Sequence, residues 1–388
     1  MSKQTCRRIL HLYKSMIPST RLCGHCQLEE MARQGLIEYR HCRTLDVTQA
    51  DLDWADTVLL SRLDCNYELR LAKALKTAGR TLIYMIDDDL LHVPLELASG
   101  AYFAQKEMQR CIPALMSVSD AILSPSKELL GKYALGGVRP ILTEEPAINP
   151  VAYQPYEAGR SVRIGFAGTV DRTGDIERIL GGVLLRLKKE FGSGIEFYFF
   201  GAIPAFAAQL EAKSIPYCDS YDKYREVMNG LQLDIGLAPM PGTAFHACKH
   251  YNKFVEYAAA GVVGVYSLEK PYTRLAEQFG WPLLCPNEEE SWYEALHALI
   301  SSPEEINRLK RQLAEMSATV FSVPVIAREL YQELCALPSG SHDQPVKLPP
   351  LPLMKLRARF ERYRNGLKRY GLKAPALVWS RIKAKLRR

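Results

Sequence analysis

The chain has 388 residues, 47% of them hydrophobic and 24% charged, with a net charge of +7. Those are ordinary globular values, and the length suits two cores plus an appendage. No run approaches the roughly 18 apolar residues that a membrane-spanning helix requires, and no unit repeats at a period of about 20 to 50 residues, which excludes a helical membrane span and a repeat array.

Taken in chain order, RILHLYKS reads as a strand. Its apolar stretch, Ile9 to Ile17, contains His11 and Lys14 and fits a first strand better than a signal peptide. Gln27 to Gln34 reads as a helix ending near Gly35, Thr57 to Arg62 as a strand, and Tyr67 to Lys76 as a helix closed by Gly79. Thr81 to Ile86 and Ala121 to Ser126 are further strands. This alternation predicts a doubly wound parallel sheet. The ten cysteines are scattered, which points to reduced thiols in the cytosol. In Cys23-Gly-His-Cys26 a zinc site would have to recruit the adjacent His41 and Cys42, which converge poorly on one ion. A redox reading needs a thioredoxin-like domain, so the pair reads as incidental thiols at the start of the first helix.

Asp87, Asp88 and Asp89 follow the strand TLIYMI and so face a cleft at the carboxyl end of the sheet. They can supply a catalytic or acceptor-binding acid, hold a metal, or cap the next turn with the others solvated. Three consecutive carboxylates cannot all face one ligand, and Asp87 and Asp88 lead. His92, just beyond, is either a cleft residue or a bystander. The Pro-containing passage from Glu145 to Pro155 reads as an interdomain linker. The expected units are therefore 1–148, 149–337 and an appendage, 338–388.

The second unit opens with VRIGFAGTVDRTGDIERIL, Val162 to Leu180: a strand, a turn at Gly168 and Thr169, and a helix carrying Arg172. A turn that opens a helix offers unpaired N–H groups and the positive end of the helix dipole to an anion. IEFYFFG and LDIGLAPM are further strands. KHYNKFVEYAAAGVVGV follows, and a helix from Lys249 to Ala260 would put Lys249, Lys253 and Glu256 on one face. Two ammonium groups suit a diphosphate and the carboxylate suits ribose hydroxyls. The alternative is a solvated face with a Lys–Glu pair. His246, after Phe245, is either a donor contact or a packed loop residue.

In combination these segments, with KPYTRLAEQFGWPLL, resemble the family-4 retaining glycosyltransferases of two Rossmann-like domains, the GT-B architecture. The likeness runs in order over residues 162 to 284 and is nearest to bacterial surface-polysaccharide enzymes; PSTRLCGHCQLEEMARQG and TLIYMIDDDLLHVP match more weakly. The resemblance implies that Gly168 and Thr169 lie under the donor phosphates, that Arg172 and Lys253 bind the diphosphate, and that Glu256 holds the ribose. Where many members carry a second glutamate, eight residues earlier, this chain has Cys248, beside Lys249. It further implies a nucleotide-sugar co-substrate, no metal and no other cofactor.

From Met354 to Arg388 there are 13 Lys and Arg against one acid, Glu361, so this segment is +12 and the other 353 residues are −5. Leu356, Phe360, Tyr363, Leu367 and Tyr370 form an apolar stripe, and Val378, Ile382 and Leu386 repeat beside Trp379. A basic amphipathic helix of this kind suits an anionic membrane surface, at about 1 kcal/mol per basic group; packing on its own protein is the alternative. No nucleic-acid module accompanies the charge. The expectation is a cytoplasmic transferase, peripheral at the membrane, that moves a hexose-type sugar to a glycan or lipid-linked glycan with retention. The alternatives are a non-catalytic nucleotide-sugar-binding subunit and a membrane-surface adaptor.

Overall fold

Two parallel sheets, six strands each, organise the chain. The computed structural model describes residues 7–218, 220–356 and 358–360. The first sheet contains β1 (Arg7–Tyr13), β2 (Ile37–Arg43), β3 (Thr57–Ser61), β4 (Thr81–Met85), β5 (Ala121–Ser124) and β6 (Arg139–Leu142), in the order β2-β1-β3-β4-β5-β6. Every residue of β3, β4 and β5 is buried, as helices on both faces demand. On one face Leu71, Leu75, Ile112 and Leu115 pack with Leu10, Leu12 and Leu60. On the other, Leu28, Met31, Leu330 and Leu334 meet Ile9, Leu59 and Ile83. The edge strand β2, IEYRHCR, is mostly exposed and polar, which hides it from a search for apolar runs.

The second sheet contains β7 (Val162–Gly168), β8 (Ile195–Gly201), β9 (Lys213–Ile215), β10 (Ile235–Ala238), β11 (Val263–Ser267) and β12 (Leu284–Cys285). Its order, β12-β11-β10-β7-β8-β9, is the dinucleotide-fold order 3-2-1-4-5-6 read from the other edge. The helix Thr173–Phe191 buries Ile176, Ile179, Leu180, Val183, Leu184 and Leu187 against it. At helical spacing these form one stripe, each side chain contributing roughly 1.5–3 kcal/mol. The strand order reverses between β7 and β10 here and between β1 and β3 in the first sheet. Ligand crevices open at such points, outside the carboxyl ends of the strands.

The chain crosses between the sheets twice, and the crossings touch where Ala147 N–H donates to the Phe321 carbonyl at 2.8 Å. The helix Val323–Cys335 lies within the stretch expected to close the second unit, yet Ala327, Leu330 and Leu334 pack on the first sheet. Residues beyond it stay there: Thr81 Oγ1 donates to the Pro338 carbonyl at 2.8 Å and Arg80 to that of Gln344 at 2.9 Å. Helical residues 351–356 and 358–360 turn Met354 and Ala358 into the first core. They leave Leu353, Leu356 and Phe360 65%, 52% and 67% exposed. The remainder of the predicted stripe, from Tyr363 to Leu386, lies outside the described residues.

Candidate active site

The carboxyl ends of the two sheets face each other across a cleft of about 400 Å³. Asp87, Asp88, Gly168, Thr169, Arg172, Lys249, Lys253 and Glu256 all line it. Sequence separations of up to 169 residues therefore collapse into one site, with β4 supplying the aspartates and the second sheet the remainder.

On the second sheet, β7 ends at Gly168, where a Cβ would sit 2.7 Å from the Phe166 ring. Next to it Gly201 closes β8 with φ +82°, and a Cβ there would lie 2.2 Å from the Gly168 carbonyl, so both strand ends depend on glycine. Thr169 is extended, Val170–Arg172 form a 3₁₀ turn, and the helix begins at Thr173. Neither turn nor helix has a side-chain hydrogen bond at its N-cap. Arg172 belongs to the turn, not the helix. Its guanidinium donates to the Pro239 carbonyl at 2.9 Å and lies 3.2 Å from Asp175.

The helix expected from Lys249 starts later, at Asn252, and ends at Ala259. A separate short helix, Ala244–Ala247, precedes it, and Tyr251 breaks the two apart with φ −81° and ψ 38°. Lys249 is therefore a loop residue that does not share a helix face with Lys253 and Glu256. It reaches across the cleft to Asp88 at 2.9 Å. Lys253 pairs with Glu256 at 2.7 Å, and the Tyr224 hydroxyl donates to the same Glu256 oxygen at 3.0 Å. Each of the three cations is thus held by a carboxylate.

The three aspartates divide two to one. Asp87 is bound by Arg62; burial opposes its charge, but Arg62 and a hydrogen bond from Ser19 outweigh it and hold the carboxyl below the ordinary range. Asp88 meets Lys249. Asp89 turns away into a buried pocket, accepting from Lys132 at 2.6 Å and from the Tyr133 hydroxyl. His92 lies 3.0 Å from Asp89, outside the cleft lining. His246 is also outside it; burial, then Arg172 and Lys249, push its pKa down to about 3 and keep it neutral. Cys248 packs into the first domain's core, 4.0 Å from Asp89, and burial raises its thiol pKa. Cys23 is more than an incidental thiol: it is buried and donates to Glu145 at 3.1 Å.

Several lining residues escaped the sequence reading. Arg62, directly after β3, has φ 50°, a left-handed conformation that bulky residues adopt at some cost. The rule that found Asp87, a residue at the carboxyl end of a buried strand, would have found it. Phe200, Tyr217, Tyr221 and Tyr224 form an aromatic wall beside Glu256, with Phe200 and Tyr224 centroids 5.3 Å apart and Tyr217 58% exposed. Away from the cleft, Asp64, Cys65 and Glu68 come close enough to hold an ion. Their carboxylates are already taken by Lys14, Tyr102 and backbone amides.

No protein-family model matches the sequence, and no curated protein matches it. Solved structures do. The Anabaena protein Alr3699/HepE, in complex with UDP and glucose, superposes with a TM-score of 0.59 over 85% of this chain and 99% of its own, at 11% identity. Sucrose-phosphate synthase from Thermosynechococcus elongatus gives 0.57, over 85% and 99%, at 12% identity. A Listeria monocytogenes protein assigned as a UDP-N-acetylglucosamine 2-epimerase gives 0.52, over 85% and 96%, at 11% identity. At these identities the likeness shows the fold: two Rossmann-like domains across a cleft, the GT-B architecture.

Proposed function

We propose that the protein is a glycosyltransferase that moves a hexose-type sugar from a nucleoside diphosphate donor to a hydroxyl of a glycan or lipid-linked glycan. One observation carries this reading: the glycine-ended strand at Gly168, three cations and a ribose-suited carboxylate share one cleft with two acceptor-side aspartates. The complexes of the Anabaena protein with UDP and glucose, and with UDP-glucose, support it for a chain of the same fold.

In this mechanism the diphosphate lies over Gly168 and Thr169 and is neutralised by Arg172, Lys253 and Lys249. Glu256 accepts from the ribose hydroxyls, and the base lies along the aromatic wall. As the bond from the anomeric carbon to the phosphate oxygen breaks, negative charge grows on the diphosphate and positive charge on the sugar ring. Cations fixed at the phosphates stabilise that state more than the ground state. The acceptor oxygen bonds to the anomeric carbon and its proton leaves to a base. Asp87, kept ionised by Arg62, suits acceptor positioning. Asp88, once Lys249 turns to the phosphate, suits the base. Retention follows the family resemblance and requires the acceptor to approach on the face from which the diphosphate departs; a role in surface polysaccharide follows it too, and the scheme uses no metal and no cofactor.

Among the described residues no helix is long and apolar enough to cross a membrane. We place the protein in the cytoplasm, peripheral at an anionic membrane, through the basic segment 354–388 and the exposed Leu353, Leu356 and Phe360.

Calorimetric titration with UDP, GDP, dTDP and CDP tests the donor site. One diphosphate should bind at micromolar level and be lost in Lys253→Ala and Glu256→Ala; four negative titrations of folded protein would overturn the reading. Product analysis with the matching nucleotide sugars then separates transfer from epimerisation. Binding with no turnover would favour the non-catalytic subunit, for which Cys248 at the family's glutamate position speaks.

A further inference from the structure

A second knot of charge lies beside the donor site, where the connector leaves β6. Glu144 and Glu145 both contact His250, which arrives from the donor-side loop. His250 Nε2 is 2.9 Å from a Glu144 oxygen and Nδ1 is 3.6 Å from a Glu145 oxygen. Arg274, from the helix Thr273–Phe279, lies 3.7 Å from Glu144 and over the Tyr251 ring at 5.0 Å. The Tyr251 hydroxyl donates to Glu144 at 2.7 Å. From the first domain, Cys23 donates to Glu145 at 3.1 Å and the Gln27 amide to the Glu144 carbonyl at 3.3 Å. Three separate parts of the fold therefore meet here: the first domain's opening helix, the connector and the donor-side loop.

Two carboxylates face one guanidinium, so a neutral cluster needs one further proton, and the imidazole that touches both carboxylates is placed to hold it. His250, Glu145 and Arg274 are all buried, which makes an unbalanced charge costly. His250 Nδ1, Glu145 Oε2 and the Arg274 nitrogens also lack hydrogen-bond partners among the described residues. Burial works against the imidazolium, but Glu144 and Glu145 outweigh burial and push the His250 pKa up to about 9.

We propose that Glu144, His250, Glu145 and Arg274 form an interdomain charge knot that sets the domain angle and, through the loop carrying Lys249 and the helix start carrying Lys253, holds the donor-side cations in place. His250 is a positioning residue in this scheme. Its neighbours in the chain, Lys249 and Asn252, line the cleft, and so do His250 and Glu145 themselves. The break at Tyr251, which ends the expected helix early, is what allows His250 to turn back to the connector. The nucleotide arm of the test rests on the donor-site reading; the structural arm does not.

A histidine whose pKa is raised by folding stabilises the fold below its ordinary value, near 6.5, and loses that contribution as pH climbs through the folded value. The other titratable groups facing the knot are the Cys23 thiol and the Tyr221 and Tyr251 hydroxyls. Burial raises all three, so they stay protonated as His250 discharges.

The test uses the full chain without ligand first. Small-angle scattering and thermal melting between pH 7 and 10 should show expansion and a falling melting temperature with a midpoint near 9. His250→Gln should already be expanded at pH 7 and change little with pH. Glu145→Gln should move the midpoint downward, and it serves where His250→Gln folds poorly. In the second arm the affinity for UDP, or whichever diphosphate binds, should weaken about tenfold across that midpoint in the natural protein and show no midpoint in His250→Gln. Parallel pH profiles for the natural protein and the variants in the scattering arm would overturn the proposal. A scattering midpoint near 9 with no diphosphate bound would keep the knot and sink the donor site instead.

Discussion

The two walls of the cleft solve opposite electrostatic problems. The second-domain wall gathers Arg172, Lys249 and Lys253 against one lining carboxylate, Glu256. The first-domain wall gathers Asp87, Asp88 and Glu145 against one lining cation, Arg62. One wall suits a diphosphate and the other suits hydroxyl groups. Neither is left bare, because Lys253 is tied to Glu256 and Asp88 to Lys249. The difference teaches that donor affinity and chemical rate should be separable by mutation, since they reside on different domains.

The largest expected effect breaks rate without breaking binding. Asp88→Asn should lower turnover by about 10²–10⁴, the usual worth of a general base, while the diphosphate affinity, read by calorimetry, should not weaken, since Lys249 is released from its Asp88 partner. A matching loss in both quantities would mean that the walls are not independent. Next, Lys253→Ala should weaken diphosphate binding by roughly 30- to 100-fold, since it removes a charge-assisted contact and leaves Glu256 with one partner fewer. Arg172→Ala should cost less, about tenfold in the same titration, because its guanidinium is shared with the Pro239 carbonyl and Asp175. Smallest of all, Cys248→Ser should change donor affinity by no more than about twofold, because the side chain packs in the first domain's core and not on the cleft. A large change there would restore a donor-contacting role to that position.

The same contrast governs what the sequence could disclose. The second domain was legible because its site is built from contiguous segments: a strand, a glycine turn and a helix start lie within Val162–Leu180, and Lys253 and Glu256 lie on one helical turn. In the first domain only Asp87 and Asp88 were visible, since they follow an unbroken apolar strand. Arg62 also follows a buried strand, but a lone arginine there names no partner until the fold brings it to Asp87. β2 was invisible because an edge strand need not be apolar. The early start assigned to the Lys249 helix failed for a tertiary reason: His250 and Tyr251 both bond to Glu144, more than 100 residues away in sequence, and no local propensity reports that. The return of the Val323–Cys335 helix to the first sheet was hidden likewise, since its apolar stripe shows a buried face and not which core buries it.

The ion pair between Asp88 and Lys249 has a consequence for timing. While the two are joined, the base of the proposed reaction is occupied and the acceptor hydroxyl has nowhere to lose its proton. An arriving diphosphate offers Lys249 a second anion and frees Asp88, so the donor would prime the site for the acceptor and the pair would re-form as the spent diphosphate leaves. On that proposed reading the sequence would be ordered, donor first and nucleotide last, with a single lysine as its clock.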